Sequence, residues 1–185
     1  MMKLHHLSGL LICLLLSTFV HASDYKTLQW TDLIPKSVLD ILLNPPEVIQ
    51  KIQDGTPEDE LDSELLVDLG SQSDSPYFKA LTSTEIIPEY NNKKVRIPGF
   101  IVPLEFDDDQ VITAFFLVPY FGACIHQPAP PPNQMIYVTS KKGLKLEVLY
   151  DPFWIEGTLY TGIKDTDIGV SAYTMTAARI EPYKE

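Results

Sequence analysis

Hydrophobic and polar positions divide the chain into a helical first part and a strand-rich remainder. Residues 28–44 read LQWTDLIPKSVLDILLN, with Leu33, Val38, Leu39 and Leu42 near helical spacing. Thr31 or Asp32 would cap that helix, Pro45 and Pro46 would end it, and Glu47–Ile52 leaves room for one more short helix. Such a stripe ordinarily packs onto the main domain, though it also has the form of a partner-binding helix. Residues 54–76 are acidic and broken by Gly, Pro and Ser. Asp54, Glu58, Asp59, Glu60, Asp62 and Glu64 lack the spacing of a calcium loop and suit a solvated linker.

From Lys93 onward the pattern becomes that of strands. KKVRIPGFIVPLEF puts Val95, Ile97 and Ile101 on one face, with Gly99 between them. VITAFFLVPY, residues 111–120, is an apolar run suited to a strand covered on both sides. QMIYVTS, PFWIEGTLY and SAYTMTAARIEPY complete five strands, with a variable insert between the third and fourth. Gly99 and Gly157 fall in mid-strand, where glycine marks a bulge or sharp bend. The pattern predicts a mainly β fold over residues 77–185: a small five-stranded OB-like Greek-key barrel, preceded by a helical N-terminal arm and acidic linker over 23–76. A two-sheet sandwich is the rival, but seven strands are hard to find. Neither fold implies a function.

The first 22 residues change how the rest is read. Lys3 gives a positive start, Leu7–Val20 is apolar, and Val20-His21-Ala22 offers a small-residue cleavage site. The run is short for a membrane span, and Cys13 sits inside it after the bulky Ile12, unlike a lipoprotein site. A signal peptide cleaved near Ala22, an exported periplasmic protein and no integral membrane segment are therefore expected.

Charge narrows the partners. Lys and Arg number 14 against 25 Asp and Glu, a formal net charge of −11, and loss of the leader removes Lys3 but no acid. That balance argues against nucleic acid and anionic membrane surfaces.

The candidate chemistry lies in Tyr120–Gln134, YFGACIHQPAPPPNQ. The chain's other cysteine, Cys13, and its other histidines, His5, His6 and His21, all fall in the leader, so the mature chain keeps only Cys124 and His126. Residues two apart in extended backbone point the same way, so the pair can converge on one ion. Thiolate and imidazole suit zinc first and copper second. Pro128 and Pro130–Pro132 would stiffen the segment that follows, and Gly122 would let the chain turn before the pair.

Two ligands do not close a zinc site. Glu105, at the end of the first strand, is the preferred third ligand, with Asp107, Asp108 and Asp109 behind it, and solvent or a second copy in a homodimer as further sources. Two other readings use the same loop. His126 could activate Cys124 as the thiolate of an enzyme, though no third group orients the histidine and no C-x-x-C is present. The proline run could instead be the surface of a non-catalytic partner-binding module. Trp154, Tyr160 and Tyr173 could line a pocket, but aromatics on strands are more often core.

Together WTDLIP, GFIVPLEFD, FLVPYFGACIHQPAPPPNQ and FWIEGTL resemble a family of exported bacterial proteins catalogued as a domain of unknown function. The resemblance covers nearly all of the mature chain. It implies a periplasmic accessory of zinc-linked ABC transporter clusters, more a metal-handling protein than a catalyst. Its partner would be a membrane transporter or another periplasmic metal-handling protein. Cys124, His126 and Glu105 match positions in the family's recurrent motifs, while Ala129 interrupts what is usually unbroken proline.

Overall fold

The computed structural model describes residues 24–51, 74–123, 130–145 and 150–184. Six strands form one sheet: β1 (Lys26–Thr27), β2 (Lys93–Phe106), β3 (Ile112–Val118), β4 (Ile136–Leu144), β5 (Phe153–Thr166) and β6 (Gly169–Pro182). The order β2-β3-β4-β6-β5 returns to β2 through a β2–β5 pairing, so five strands close into an OB-like barrel. The β4–β6 pair is parallel and the other barrel pairs are antiparallel. The short β1 adds in parallel to the first half of β2.

Closure rests on β2 changing partner in mid-course. Lys93–Gly99 pair with β5, and Phe100–Phe106 pair with β3. At the switch a Cβ on Gly99 would stand 2.7 Å from the Val118 carbonyl oxygen, so the crossing needs glycine. Gly157 serves the same end, where a Cβ would lie 2.5 Å from the Thr176 carbonyl oxygen. Inside the barrel, Val95, Ile97, Phe115, Leu117, Ile136 and Tyr173 are among the residues that build one dry core.

The arm closes one end of this core, but not as a single helix. Pro35 stops helical pairing, so a 3-10 turn (Trp30–Leu33) comes first and α1 (Lys36–Leu42) begins only after it. Asp32 therefore caps the turn, its carboxylate accepting the Gln29 N–H at 2.8 Å, and the longer helix expected from Thr31 or Asp32 is corrected to these two pieces. Leu28 and Leu33 enter the barrel core, and the Trp30 indole donates to the Pro98 carbonyl at 2.7 Å. Tyr173, fully buried, donates to the Leu33 carbonyl at 2.8 Å and accepts the Ile87 N–H at 2.7 Å.

Val38 of α1 packs with Ile34 and with Ala80 of α3 (Pro76–Leu81), a helix that the sequence pattern did not announce. A short α2 (Glu47–Gln50) lies where one further helix was expected. The leader and most of the acidic linker fall outside the described residues. Among the described residues, no helix is long and apolar enough to cross a membrane.

Candidate functional site

The β3–β4 connection is held firmly at both of its described ends. After Val118 the chain runs through Gly122, whose φ of 78° is open to glycine at no steric cost, to the fully buried Ala123. It is described again from Pro130, and Pro130 and Pro131 are buried. A 3-10 turn (Pro132–Gln134) then leads into β4. Within it Asn133 is fully buried and its amide donates to the Glu85 carbonyl at 2.9 Å, while the Gln134 amide donates to the Trp30 carbonyl at 3.0 Å. Cys124, His126 and Pro128 themselves lie outside the described residues. A cleft of about 510 Å³ lies beside both flanks, between Ala123, Pro130 and Met135 on one side and Leu81, Thr84 and Ile168 on the other.

Glu105 sits elsewhere along the barrel wall. It faces Ala114 near the β2–β3 turn, whereas β3 reaches the loop at Val118, opposite Phe100. Five residues of β2 separate the two levels, roughly 17 Å of extended strand. The exposed Glu105 carboxylate accepts a hydrogen bond from the Tyr137 hydroxyl at 2.9 Å. Burial, then the bond to Glu105 and its negative charge, raise the Tyr137 pKa above the ordinary tyrosine value. The Lys164 ammonium lies 4.9 Å from the centre of the Tyr137 ring, completing a small polar group on the outer face of the barrel.

Of the weaker candidates, Asp107 turns its carboxylate inward on its own loop. One oxygen accepts the N–H of Asp109 at 3.0 Å and of Val111 at 2.9 Å, and Asp108 and Asp109 point to solvent. Among the described residues, no group of three or more His, Cys, Asp or Glu side chains is placed to hold a metal.

The three aromatics singled out in the sequence do not share one pocket. Tyr173 is core, and Tyr160 is exposed. Trp154 is sandwiched between the Arg96 guanidinium, 4.0 Å from its ring centre, and the ring of Tyr183 at 5.2 Å.

Sequence reasoning missed two polar groupings. One is the Glu105–Tyr137–Lys164 set, whose members come from three strands. The other is a cross-strand row in which Arg96, Glu156 and Arg179 stand opposite one another on β2, β5 and β6. Glu156 is nearly buried, 3.5 Å from Arg96 and 4.0 Å from Arg179. Alternating charges on separate strands gave a hint of the row, but their register is visible only in the fold.

No curated protein matches the chain. Among solved structures it is similar to a DUF3299 family protein from Pseudomonas aeruginosa PAO1. The two share 32% sequence identity over 87% of this chain and 97% of the other, with a TM-score of 0.62. The family model described as protein of unknown function (DUF3299) matches residues 30–182, which takes in the barrel, the described part of the arm from Trp30 and the Cys-His loop. The chain belongs to the DUF3299 family.

Proposed function

We propose that this protein is an exported, periplasmic metal-handling accessory that binds zinc, with copper as second choice, through Cys124 and His126. It would pass the ion to a membrane transporter or to another periplasmic metal-handling protein. The observation that carries the reading is the anchoring of the loop on which the two residues sit. Ala123 is locked in a dry cluster at one end, and Asn133 and Gln134 are tied to Glu85 and Trp30 at the other. Fixing both ends reduces the entropy lost when a short ligand loop closes on an ion. A thiolate and an imidazole fit zinc by donor chemistry, and a set that leaves positions to water or to a partner suits transfer better than a closed four-ligand structural site. Glu105 remains the candidate third ligand, and to serve it would have to give up its bond from Tyr137.

Native mass spectrometry of the mature protein with zinc and with copper(I) tests this, alongside C124S, H126A and E105Q. One retained ion per chain, lost in C124S and in H126A, is the expected result. Loss in E105Q as well would make Glu105 a ligand, and half an ion per chain in a dimer would place the site between two copies. No retained ion in the parent overturns the reading.

The cleft beside Ala123 and Pro130 favours a second reading, in which the loop serves a non-catalytic binding module. Thiol labelling of Cys124 separates these readings from a thiol enzyme. Protection that a chelator removes indicates a metal, and fast labelling with or without chelator indicates a catalytic thiolate.

A further inference from the structure

The barrel is least well closed where β4 and β6 part. Their parallel pairing runs from Ile136↔Tyr173 to Ser140↔Ala177 and stops, although β4 continues to Leu144 and β6 to Pro182. Two local features drive the strands apart. On β6, Glu156 pairs with Arg179 and Gly157 with Ala177, so Ala178 is an extra, bulged residue that bends the strand. On β4, Gly143 adopts a φ of 64° and lies so close to Val111 that a Cβ there would fall 2.1 Å from the valine side chain. Pairing with β3 jumps from Thr139 to Leu144, so among the described residues Lys141, Lys142 and Gly143 have no register partner on either neighbouring strand.

The result is a cleft of about 450 Å³ with a strand edge on each side. Backbone donors and acceptors along such edges are a template for another extended chain. The small residues Gly143, Ala177 and Ala178 leave the approach open, and Leu144 and Ile180 give it an apolar floor. Its charge runs against that of the whole molecule. Lys141 and Lys142 are exposed, and among the described residues neither has an ion-pair partner. Arg179 also lines the cleft, in contact with Glu181, so the lysines leave the cleft net positive in a chain of net charge −11.

We propose that this split seam is a docking site for an extended segment of a partner protein in which acidic and apolar residues alternate. The segment would add as a strand where β4 and β6 part, its acidic side chains meeting Lys141 and Lys142. Only Lys141–Gly143 of β4 lack a register partner among the described residues, so the inserted part is short and the affinity modest.

The test uses the mature full-length chain and a fluorescein-labelled, end-blocked peptide of alternating Glu and Val, followed by anisotropy. A second peptide has the same sequence with alternate backbone nitrogens methylated, and a third alternates Lys and Val. Saturable binding of the first alone, weakened about tenfold in the K141E/K142E variant by like-charge repulsion, is expected. Circular dichroism verifies that the variant keeps its fold. Equal binding of the methylated peptide overturns strand addition, since charge would then suffice. Equal binding of the Lys-Val peptide overturns the acidic preference, and absence of saturable binding overturns the site. None of these outcomes depends on metal, so the peptide can fail while the reading of Cys124 and His126 stands.

Discussion

Phe115 and Phe116 are adjacent in β3 and both fully buried, yet they belong to different cores. Phe115 points into the barrel with Leu117, Ile136 and Tyr173. Phe116 points outward and packs with Val118, Ala123, Met135 and Tyr137 in a second dry cluster. In a barrel of this type the outer face of the second and third barrel strands, with the loops beside it, is where oligonucleotides and oligosaccharides are held. Here those strands are β3 and β4, and their outer face is filled by the protein's own side chains. The surface that would stack bases has become packing that holds the start of the β3–β4 loop through Ala123.

The largest expected effect tests that equivalence. F115A and F116A should each lower stability by about 3–5 kcal/mol in urea unfolding, the usual cost of emptying a phenylalanine from a closed core. If F116A costs under about 1 kcal/mol, the outer cluster is loose in solution and the two faces of β3 are not alike. Metal retention sharpens the contrast further. If the outer cluster supports the loop, F116A should weaken metal binding more than F115A does at equal residual fold.

Gly99 lies where β2 passes from one neighbour to the other, between the two cores. A Cβ there meets the Val118 backbone oxygen, which has little freedom to move, and the Leu117 side chain at 2.9 Å. G99A should cost about 1–3 kcal/mol, as overpacking does in a tight core. Gly162, with nothing within 4 Å of a Cβ, is the matched control, and G162A should change stability little. Equal effects at both sites would mean that backbone entropy and not the crossing sets the value.

Tyr173 separates the inner core from the outer one by its polar ties. Y173F removes a hydroxyl that serves both Leu33 and Ile87 and should cost about 1–3 kcal/mol. Burial pushes the Tyr173 pKa up to about 12 from 10.0, with the charges of Tyr90 and Glu89 adding to the rise and the Ile87 N–H opposing it. The sign follows from linkage. The unfolded tyrosine releases its proton near 10, before the folded one does, so this stabilisation is whole below pH ~10 and lost as pH rises through about 12. The gap between parent and Y173F should therefore narrow over that window. A gap that stays constant would show that the hydroxyl does not titrate with the fold.

Much of the barrel is legible in the residues. Val95 and Ile97 alternate with the charged Lys94 and Arg96, the apolar run of β3 announces cover on both faces, and Gly99 and Gly157 mark the bends. What escapes is short or non-local. Six residues of α3 are too few to display a helical period, and two residues of β1 too few to display a strand. Leu33 looks like part of a helical stripe, but Pro35 separates it from α1 and sends it into the barrel. The loop with Cys124 and His126 stands out by residue type alone. Glu105 stands out too, but its neighbour Tyr137 is 32 positions away and meets it only because β2, β3 and β4 lie side by side.

The smallest expected effect concerns that pair, and it bears directly on the proposed metal site. Glu105 is exposed and Tyr137 nearly buried, so E105Q should cost at most about 1 kcal/mol of stability, because an amide oxygen can still accept the phenol hydrogen. The titration of Tyr137 is the more sensitive readout. Burial is the first cause of its raised pKa and Glu105 the second, so E105Q should bring the value down while leaving it above the ordinary one. Tyrosine ring-carbon NMR, with the signal assigned through Y137F, reads this in the metal-free protein. An unchanged midpoint would mean that Glu105 is released from Tyr137 in solution and free to turn toward an ion. A lowered midpoint in the apoprotein, with zinc retention unaffected in E105Q, would mean that Glu105 belongs to the outer core. The metal at Cys124 and His126 would then be completed by water or by a second chain.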